Sequence, residues 1–157
     1  MSRLFIALMV CLTPTGANAR GSGMAQGKFS ALSYEQLQRL PPPIHKALKA
    51  AQLLCTDDAI NIRTRFLRYL KGTTDEEFIA VHFDQFECFN RDALCSPNGC
   101  LHRVFVSRGG IVREGWRGNV LEIDMSTESG RPSIDVDCSR GGSFCRYQMQ
   151  WNGKRFR

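Results

Sequence analysis

The sequence has no long hydrophobic run and no standard hydrolase motif. Its longest apolar segment is the nine residues 4–12, well short of the about 20 residues that span a bilayer. Neither a Gly-x-Ser-x-Gly elbow nor a His-Glu-x-x-His motif occurs, and the chain has only three histidines. The sequence therefore predicts no transmembrane segment and offers little support for a hydrolase.

The N-terminus has the pattern of a secretory signal peptide. Arg3 precedes the short apolar run, and Ala17-Asn18-Ala19 supplies the small residues that a signal peptidase recognises. A lipoprotein anchor at Cys11 is the alternative, but it would truncate the apolar segment. We therefore expect residues 1–19 to be a signal peptide and the mature protein to be periplasmic or secreted.

Seven cysteines are an odd number, but Cys11 lies in the expected signal peptide. The other six are Cys55, Cys88, Cys95, Cys100, Cys138 and Cys145. An even set in an exported chain indicates a disulfide framework whose pairing the sequence leaves open. Pairing within the two short cysteine loops would leave the two earliest cysteines for each other. Zinc binding is the alternative, but both loops are wider than the usual Cys-x2-Cys spacing.

The N-terminal part of the mature chain predicts two short helices. Residues 20–32 are rich in glycine and are expected to be a disordered lead-in. Ser33 can cap a first helix, and Pro41-Pro42-Pro43 would end it and start a second. In the second helix, apolar residues from Ile44 to Leu54 form one stripe. We therefore expect a helical segment over 33–55 that packs on a sheet.

From residue 56 to the end, short apolar–polar alternations predict an antiparallel β domain over 56–157. Residues 56–71 fit a helix or a strand, and a hairpin across Gly72 favours the strand. Gly109-Gly110 is typical of a tight hairpin turn, and one face of the strands carries the apolar core residues. The predicted fold class is thus α+β, mainly β, with two short helices before a disulfide-stapled antiparallel β-meander.

Several motifs resemble those of a family of uncharacterised exported bacterial proteins. The matching segments are 69–88, 95–100, 130–132, 138–145 and the ending 151–156. The resemblance implies an exported β-rich fold with no defined activity. In that family the turn before the second strand resembles a calcium loop, but Tyr69, Lys71 and Thr73 replace its oxygen-rich ligands here. We therefore expect no calcium at this turn.

Two further groups of polar side chains are candidates for chemistry. His82 and His102 lie within and at the start of expected strands, which favours structural roles over catalysis. Four carboxylates are expected on the outer faces of two adjacent strands and could bind a cation, but Arg146 on the next strand favours charge pairing. They are Glu122, Asp124, Asp135 and Asp137. The sequence therefore predicts no catalytic residue, no bound metal and no cofactor.

The charge balance indicates the class of partner. Lysine and arginine total 21 against 15 acidic residues, a net charge of +6, which favours an anionic cell-envelope component or an acidic protein; nucleic acid is not expected. The candidate partner-binding residues are Arg103, Arg108, Arg113, Trp116 and Arg117. We expect a non-catalytic binding module. The alternatives are a small secreted inhibitor that presents residues 96–99 and an envelope hydrolase with a site near His82 and His102.

Overall fold

The computed structural model describes residues 27–56, 58–140 and 143–157. The expected signal peptide, 1–19, and the start of the expected lead-in, 20–26, lie outside these ranges. The helices and strands of the described residues are β1 (Ser30–Ala31), α1 (Tyr34–Gln38), α2 (Pro42–Cys55), β2 (Asn61–Ile62), β3 (Leu67–Lys71), β4 (Glu76–His82), β5 (Cys95–Ser96), β6 (Gly99–Arg108), β7 (Ile111–Val120), β8 (Glu122–Ser126), β9 (Ser133–Arg140) and β10 (Ser143–Gln150), with 3-10 turns at Phe83–Gln85 and Arg91–Ala93.

The two helices form where the sequence predicts them. The Ser33 hydroxyl accepts a hydrogen bond from the Gln36 amide at 3.2 Å, and the Gln36 side chain accepts one from the Ser33 amide at 2.9 Å, which completes a capping box. The buried stripe of α2 ends on Cys55, whereas Leu54, expected in the stripe, is 53 % exposed. No helix of the described ranges is long and apolar enough to cross a membrane.

The strands form two main antiparallel sheets, and the short β1 pairs separately with β2. In the central sheet, β4 lies between β3 and β6, β7 pairs the other side of β6, and β5 pairs the start of β6. The second sheet has the order β10-β9-β8. Ser30–Ala31, which the sequence places in the lead-in, form strand β1. The predicted class, mainly β with two short helices and antiparallel sheets, is confirmed.

The central sheet is buried on both faces, so the molecule has two hydrophobic cores. On one face, Ile79 and Val81 of β4 pack with the buried side chains of α2. On the other face, Phe78 and Ala80 pack with the second sheet. Neighbouring residues of β4 therefore serve opposite cores, since successive side chains of a strand point to opposite faces. This explains the continuous apolar run in β4, which is typical of strands covered on both sides.

Three disulfides staple the structure, and they are the three pairs that local pairing predicts. Cys95–Cys100 and Cys138–Cys145 each close a hairpin, and Cys55–Cys88 joins the end of α2 to the segment after β4. Such a framework is usual outside the cytoplasm, where thiols are oxidised. The disulfides are therefore consistent with an extracytoplasmic protein.

Candidate functional site

Two histidines face each other at one end of the core between the central sheet and the second sheet, which we call the inter-sheet core. The antiparallel register places His82, at the end of β4, directly opposite His102 near the start of β6. Their Nδ1 atoms are 3.2 Å apart, and the side chains are only 6 % and 0 % exposed. A hydrogen bond between two such nitrogens needs one N–H and one lone pair. The two rings therefore share one proton between their Nδ1 atoms.

Asp84 completes a cluster with this pair. It lies in the 3-10 turn that follows β4, and the Gln85 side chain donates a hydrogen bond to its Oδ2 atom. Its Oδ1 atom is buried and has no hydrogen-bond partner among the described residues, as is the case for Nε2 of both histidines. One ligand atom from each of the three residues lies within 4.8 Å of the other two. Two imidazoles and one carboxylate are a donor set that transition metals accept.

Burial keeps both histidines uncharged at neutral pH. Loss of hydration, and secondarily the neighbouring His102, lowers the pKa of His82 to about 4, although Asp84 acts in the opposite direction. Burial also lowers the pKa of His102, against the opposing effects of Asp84 and of the Val120 carbonyl. If both rings were protonated, two N–H groups would point at each other in place of the shared hydrogen bond. The cluster therefore holds neutral rings under physiological conditions.

We expect the free energy of unfolding to decrease as the pH falls from about 6.5 to 4. In this window the unfolded chain binds a proton at His82 and the folded chain does not, so the free energy of unfolding falls with pH, by about 3 kcal/mol. The charged or titratable groups around His82 are His102, Asp84, Arg68 and Asp124, and the last two form an ion pair with each other at 2.6 Å. Urea titrations across the window would measure the slope.

The half-buried His45 on α2, which lies outside the buried pair, provides the control for this experiment. A His45→Gln substitution should leave the pH profile unchanged, because the side chain is not part of the buried pair. A double substitution of His82 and His102 by glutamine should flatten the profile. An unchanged slope in that double variant would show that other groups cause the acid sensitivity.

The five residues of the expected partner-binding surface lie on both faces of the central sheet. Arg103 and Arg117 are opposite each other in the register of β6 and β7. The Arg103 guanidinium lies 5.1 Å from the centre of the Phe105 ring, which belongs to the core beneath α2. Glu114 forms ion pairs with both arginines. This part of the expected surface is therefore partly neutralised.

The other three residues lie on the opposite face. Trp116 packs against the inter-sheet core opposite Val104, and its ring covers Gly118, where an added Cβ would come within 2.9 Å of it. Arg108 lies at the far end of β6 and pairs with Asp75 at 3.4 Å. Arg113 is opposite Val106, a residue of the same core. The structure thus brings Arg108 and Arg113 to one end and separates them from Arg103 and Arg117.

Arg113 contacts the basic turn at residues 152–155, and the sequence alone did not predict this contact. Its Nη2 atom donates a hydrogen bond to the Gly153 carbonyl at 3.0 Å, and its guanidinium lies 5.7 Å from the centre of the Trp151 ring. The Asn152 side-chain oxygen accepts hydrogen bonds from the backbone amides of Lys154 and Arg155, each at 2.9 Å. The exposed cationic side chains of this turn are Lys154 and Arg155. We call Arg108, Arg113, Lys154 and Arg155 the basic end.

The hairpin of the Cys95–Cys100 disulfide presents an exposed loop. Ser96, Pro97 and Asn98 are exposed, and the Ser96 hydroxyl accepts a hydrogen bond from the Asn98 amide at 3.2 Å. Gly99 has φ of +120° and its α-carbon lies against the backbone of β7. The loop is therefore held at its base and displayed at its tip.

Comparison of the chain with protein-family models, with curated proteins and with solved structures found no match. The resemblance to exported bacterial proteins stays a prediction. The geometry of the chain itself is therefore the basis for assigning a function.

Proposed function

We propose that this protein is a non-catalytic periplasmic or secreted module that binds an anionic component of the cell envelope through the basic end. The contact between Arg113 and the Gly153 carbonyl carries this proposal. It places a strand cation beside Lys154 and Arg155, which form no ion pair with another described residue. Three cations without a carboxylate partner thus lie in neighbouring positions on one surface.

The nearby acidic groups neutralise Arg108 but not the other three cations of the basic end. Arg108 pairs with Asp75 at 3.4 Å and with Glu76 at 3.9 Å. Glu76 is only 9 % exposed and also accepts hydrogen bonds from the Trp151 indole N–H at 3.1 and 3.2 Å. Arginine binds phosphate and carboxylate groups through charge-assisted hydrogen bonds that are stronger than neutral ones. A basic surface of this kind suits a phosphate-bearing lipid headgroup, with an acidic protein as the other class of partner.

Burial of the histidines supports a non-catalytic function. A hydrolase needs a base within hydrogen-bond reach of a nucleophile or of a water that substrate can approach. His82 and His102 instead bond to each other, and their side chains have almost no exposed surface. The geometry around them therefore offers no access for a polymeric envelope substrate.

Binding to anionic vesicles tests the proposal. The mature protein is expected to bind vesicles of phosphatidylglycerol mixed with phosphatidylcholine, and not vesicles of phosphatidylcholine alone, in a sedimentation assay at low salt. A Lys154→Gln/Arg155→Gln variant should bind the anionic vesicles about 30-fold more weakly, since each cation near an anionic membrane contributes about 1 kcal/mol. Raising the salt concentration should weaken binding of the unmodified protein, because salt screens exposed charges.

The matched control removes the same charge elsewhere. A Lys46→Gln/Lys49→Gln variant changes two exposed lysines of α2 and should bind within about twofold of the unmodified protein. Equal losses in the two variants would mean that net charge alone drives binding, and would contradict a site at the basic end. Absence of binding to both vesicle types at low salt would contradict the lipid surface as the partner.

The exposed loop of the Cys95–Cys100 hairpin supports a second candidate function, a secreted inhibitor. An inhibitor loop has to be displayed and held in one conformation before it binds. The disulfide and the Ser96 hydrogen bond hold the loop, and its three tip residues are exposed. Slower cleavage of a substrate by an envelope protease in the presence of the mature protein would favour this function. The Lys154→Gln/Arg155→Gln variant should then inhibit the protease equally well, since the loop is unchanged in it.

A further inference from the structure

We propose that His82, Asp84 and His102 form a binding site for a divalent transition-metal ion of the zinc type. The three residues come from the end of β4, the turn after it and the start of β6, and one ligand atom from each lies within 4.8 Å of the others. The site is at the opposite end of β4 and β6 from the basic end. It does not depend on the function proposed for that surface.

The separation of the two imidazoles fits a shared metal ion. Zinc–nitrogen bonds of 2.0–2.1 Å at a tetrahedral angle place two ligand nitrogens about 3.3 Å apart. The two Nδ1 atoms are 3.2 Å apart. An ion at the side of this pair would therefore replace the shared hydrogen bond without moving the two nitrogens apart, provided that each ring turns until its Nδ1 lone pair faces the ion.

Asp84 supplies the third ligand. Its Oδ1 atom is buried without a hydrogen-bond partner among the described residues, and an unpaired buried carboxylate oxygen is costly. Coordination of a cation would satisfy this atom and would be favoured by its charge. The residue as a whole is half-buried, so it also marks the side from which an ion can reach the buried rings.

The chemistry of the cluster selects for a transition metal. Imidazole nitrogens suit zinc, copper and nickel, whereas calcium and magnesium prefer sites built from oxygen. Histidine ligates in its neutral form, which burial maintains here. If both Nδ1 atoms ligate, each ring carries its proton on Nε2, so the shared proton moves within its own ring and none is lost. The six mature cysteines are bound in disulfides and provide no competing thiolate.

The direct test is a titration of the chelator-treated, dialysed mature protein with Zn²⁺ by calorimetry and with Co²⁺ by absorption spectroscopy. We expect one ion per chain and a cobalt spectrum typical of a four-coordinate site. An Asp84→Asn variant, which keeps the size of the side chain, should bind Zn²⁺ at least about tenfold more weakly. Excess Mg²⁺ or Ca²⁺ should not displace Zn²⁺.

Asp124→Asn is the matched control. Asp124 lies near the cluster and pairs with Arg68 at 2.6 Å, but it is not one of the proposed ligands, so its variant should bind Zn²⁺ within about twofold of the unmodified protein. Equal weakening in the two aspartate variants would indicate a general charge effect and overturn the site. Loss of binding in His45→Gln would overturn it as well, because the ion would then bind the histidine of α2.

Nitrogen NMR of the imidazole rings in the unmodified protein removes any dependence on variant folding. Zn²⁺ is expected to shift one ring nitrogen of His82 and one of His102 together, at a one-to-one ratio, while the His45 signals stay in place. Signals of the buried pair that do not change at saturating Zn²⁺ would overturn the proposal. The vesicle assay is separate, since the Lys154→Gln/Arg155→Gln variant should bind Zn²⁺ normally.

Discussion

Replacement of Cys55 and Cys88 by alanine is expected to lower the free energy of unfolding by about 4 kcal/mol. This disulfide closes the longest of the three loops, with a sequence separation of 33 residues, so its loss gives the unfolded chain the most additional freedom. Cys55 is also buried in the core between α2 and the central sheet. The bond therefore holds α2 against the segment that follows β4.

The Cys95–Cys100 disulfide is the control for this prediction. Its sequence separation is only 5 residues, and a Cys95→Ala/Cys100→Ala variant should lose about 2 kcal/mol. Denaturant titrations of both double variants, followed by far-ultraviolet circular dichroism, would give the two values. Equal losses would show that strain or packing, and not loop length, determines how much each disulfide stabilises the protein.

A Gly99→Ala substitution is expected to destabilise the protein by about 3 kcal/mol or more. Gly99 has φ of +120°, which side chains with a Cβ rarely adopt. A Cβ atom there would overlap the backbone of Val120 and Leu121. Because backbone atoms on both sides would have to move, the strand pair β6–β7 should separate near Cys100. Thermal unfolding would show the loss as a lower midpoint.

Gly109 is the control that distinguishes the cost of a positive φ from the cost of a steric clash between the new Cβ and the backbone. It also has a positive φ, +55°, but an added Cβ would meet no atom within 4 Å. Gly109→Ala should therefore cost only about 1 kcal/mol, the cost of a left-handed conformation alone. A comparable cost for both substitutions would mean that the β7 backbone adapts to the new methyl group at Gly99.

Much of the architecture could be predicted from local sequence signals. Proline and serine mark the helix boundaries, and paired glycines mark the β6–β7 hairpin. The outward carboxylates of β8 and β9 do lie opposite one another, and Arg146 pairs with Asp137 as expected, with its Nε atom 2.6 Å from the carboxylate. These features depend on neighbours in sequence, so alternation and turn chemistry suffice to predict them.

The division into two sheets and the His82–Asp84–His102 cluster could not be predicted in this way. Alternation shows that a strand has two faces, but not which second layer covers each face. His82 and His102 become neighbours only through the register of β4 and β6, and the chain between these strands includes two 3-10 turns and a short hairpin. Local sequence signals do not determine that register. The contact between Arg113 and Gly153 could not be predicted for the same reason, because the two residues are 40 positions apart in the sequence.

The burial of β4 on both faces affects how its register with the neighbouring strands is determined. In a sheet with one wet face, a shift by one residue exposes the apolar side chains and is strongly disfavoured. In β4 both faces are dry, so a shifted strand would still bury Phe78, Ile79, Ala80 and Val81. The polar contacts at its two ends break this degeneracy, because Glu76 must meet the Trp151 indole and His82 must meet His102. Polar residues at its two ends thus give this strand, whose four central residues are apolar and buried, its unique alignment.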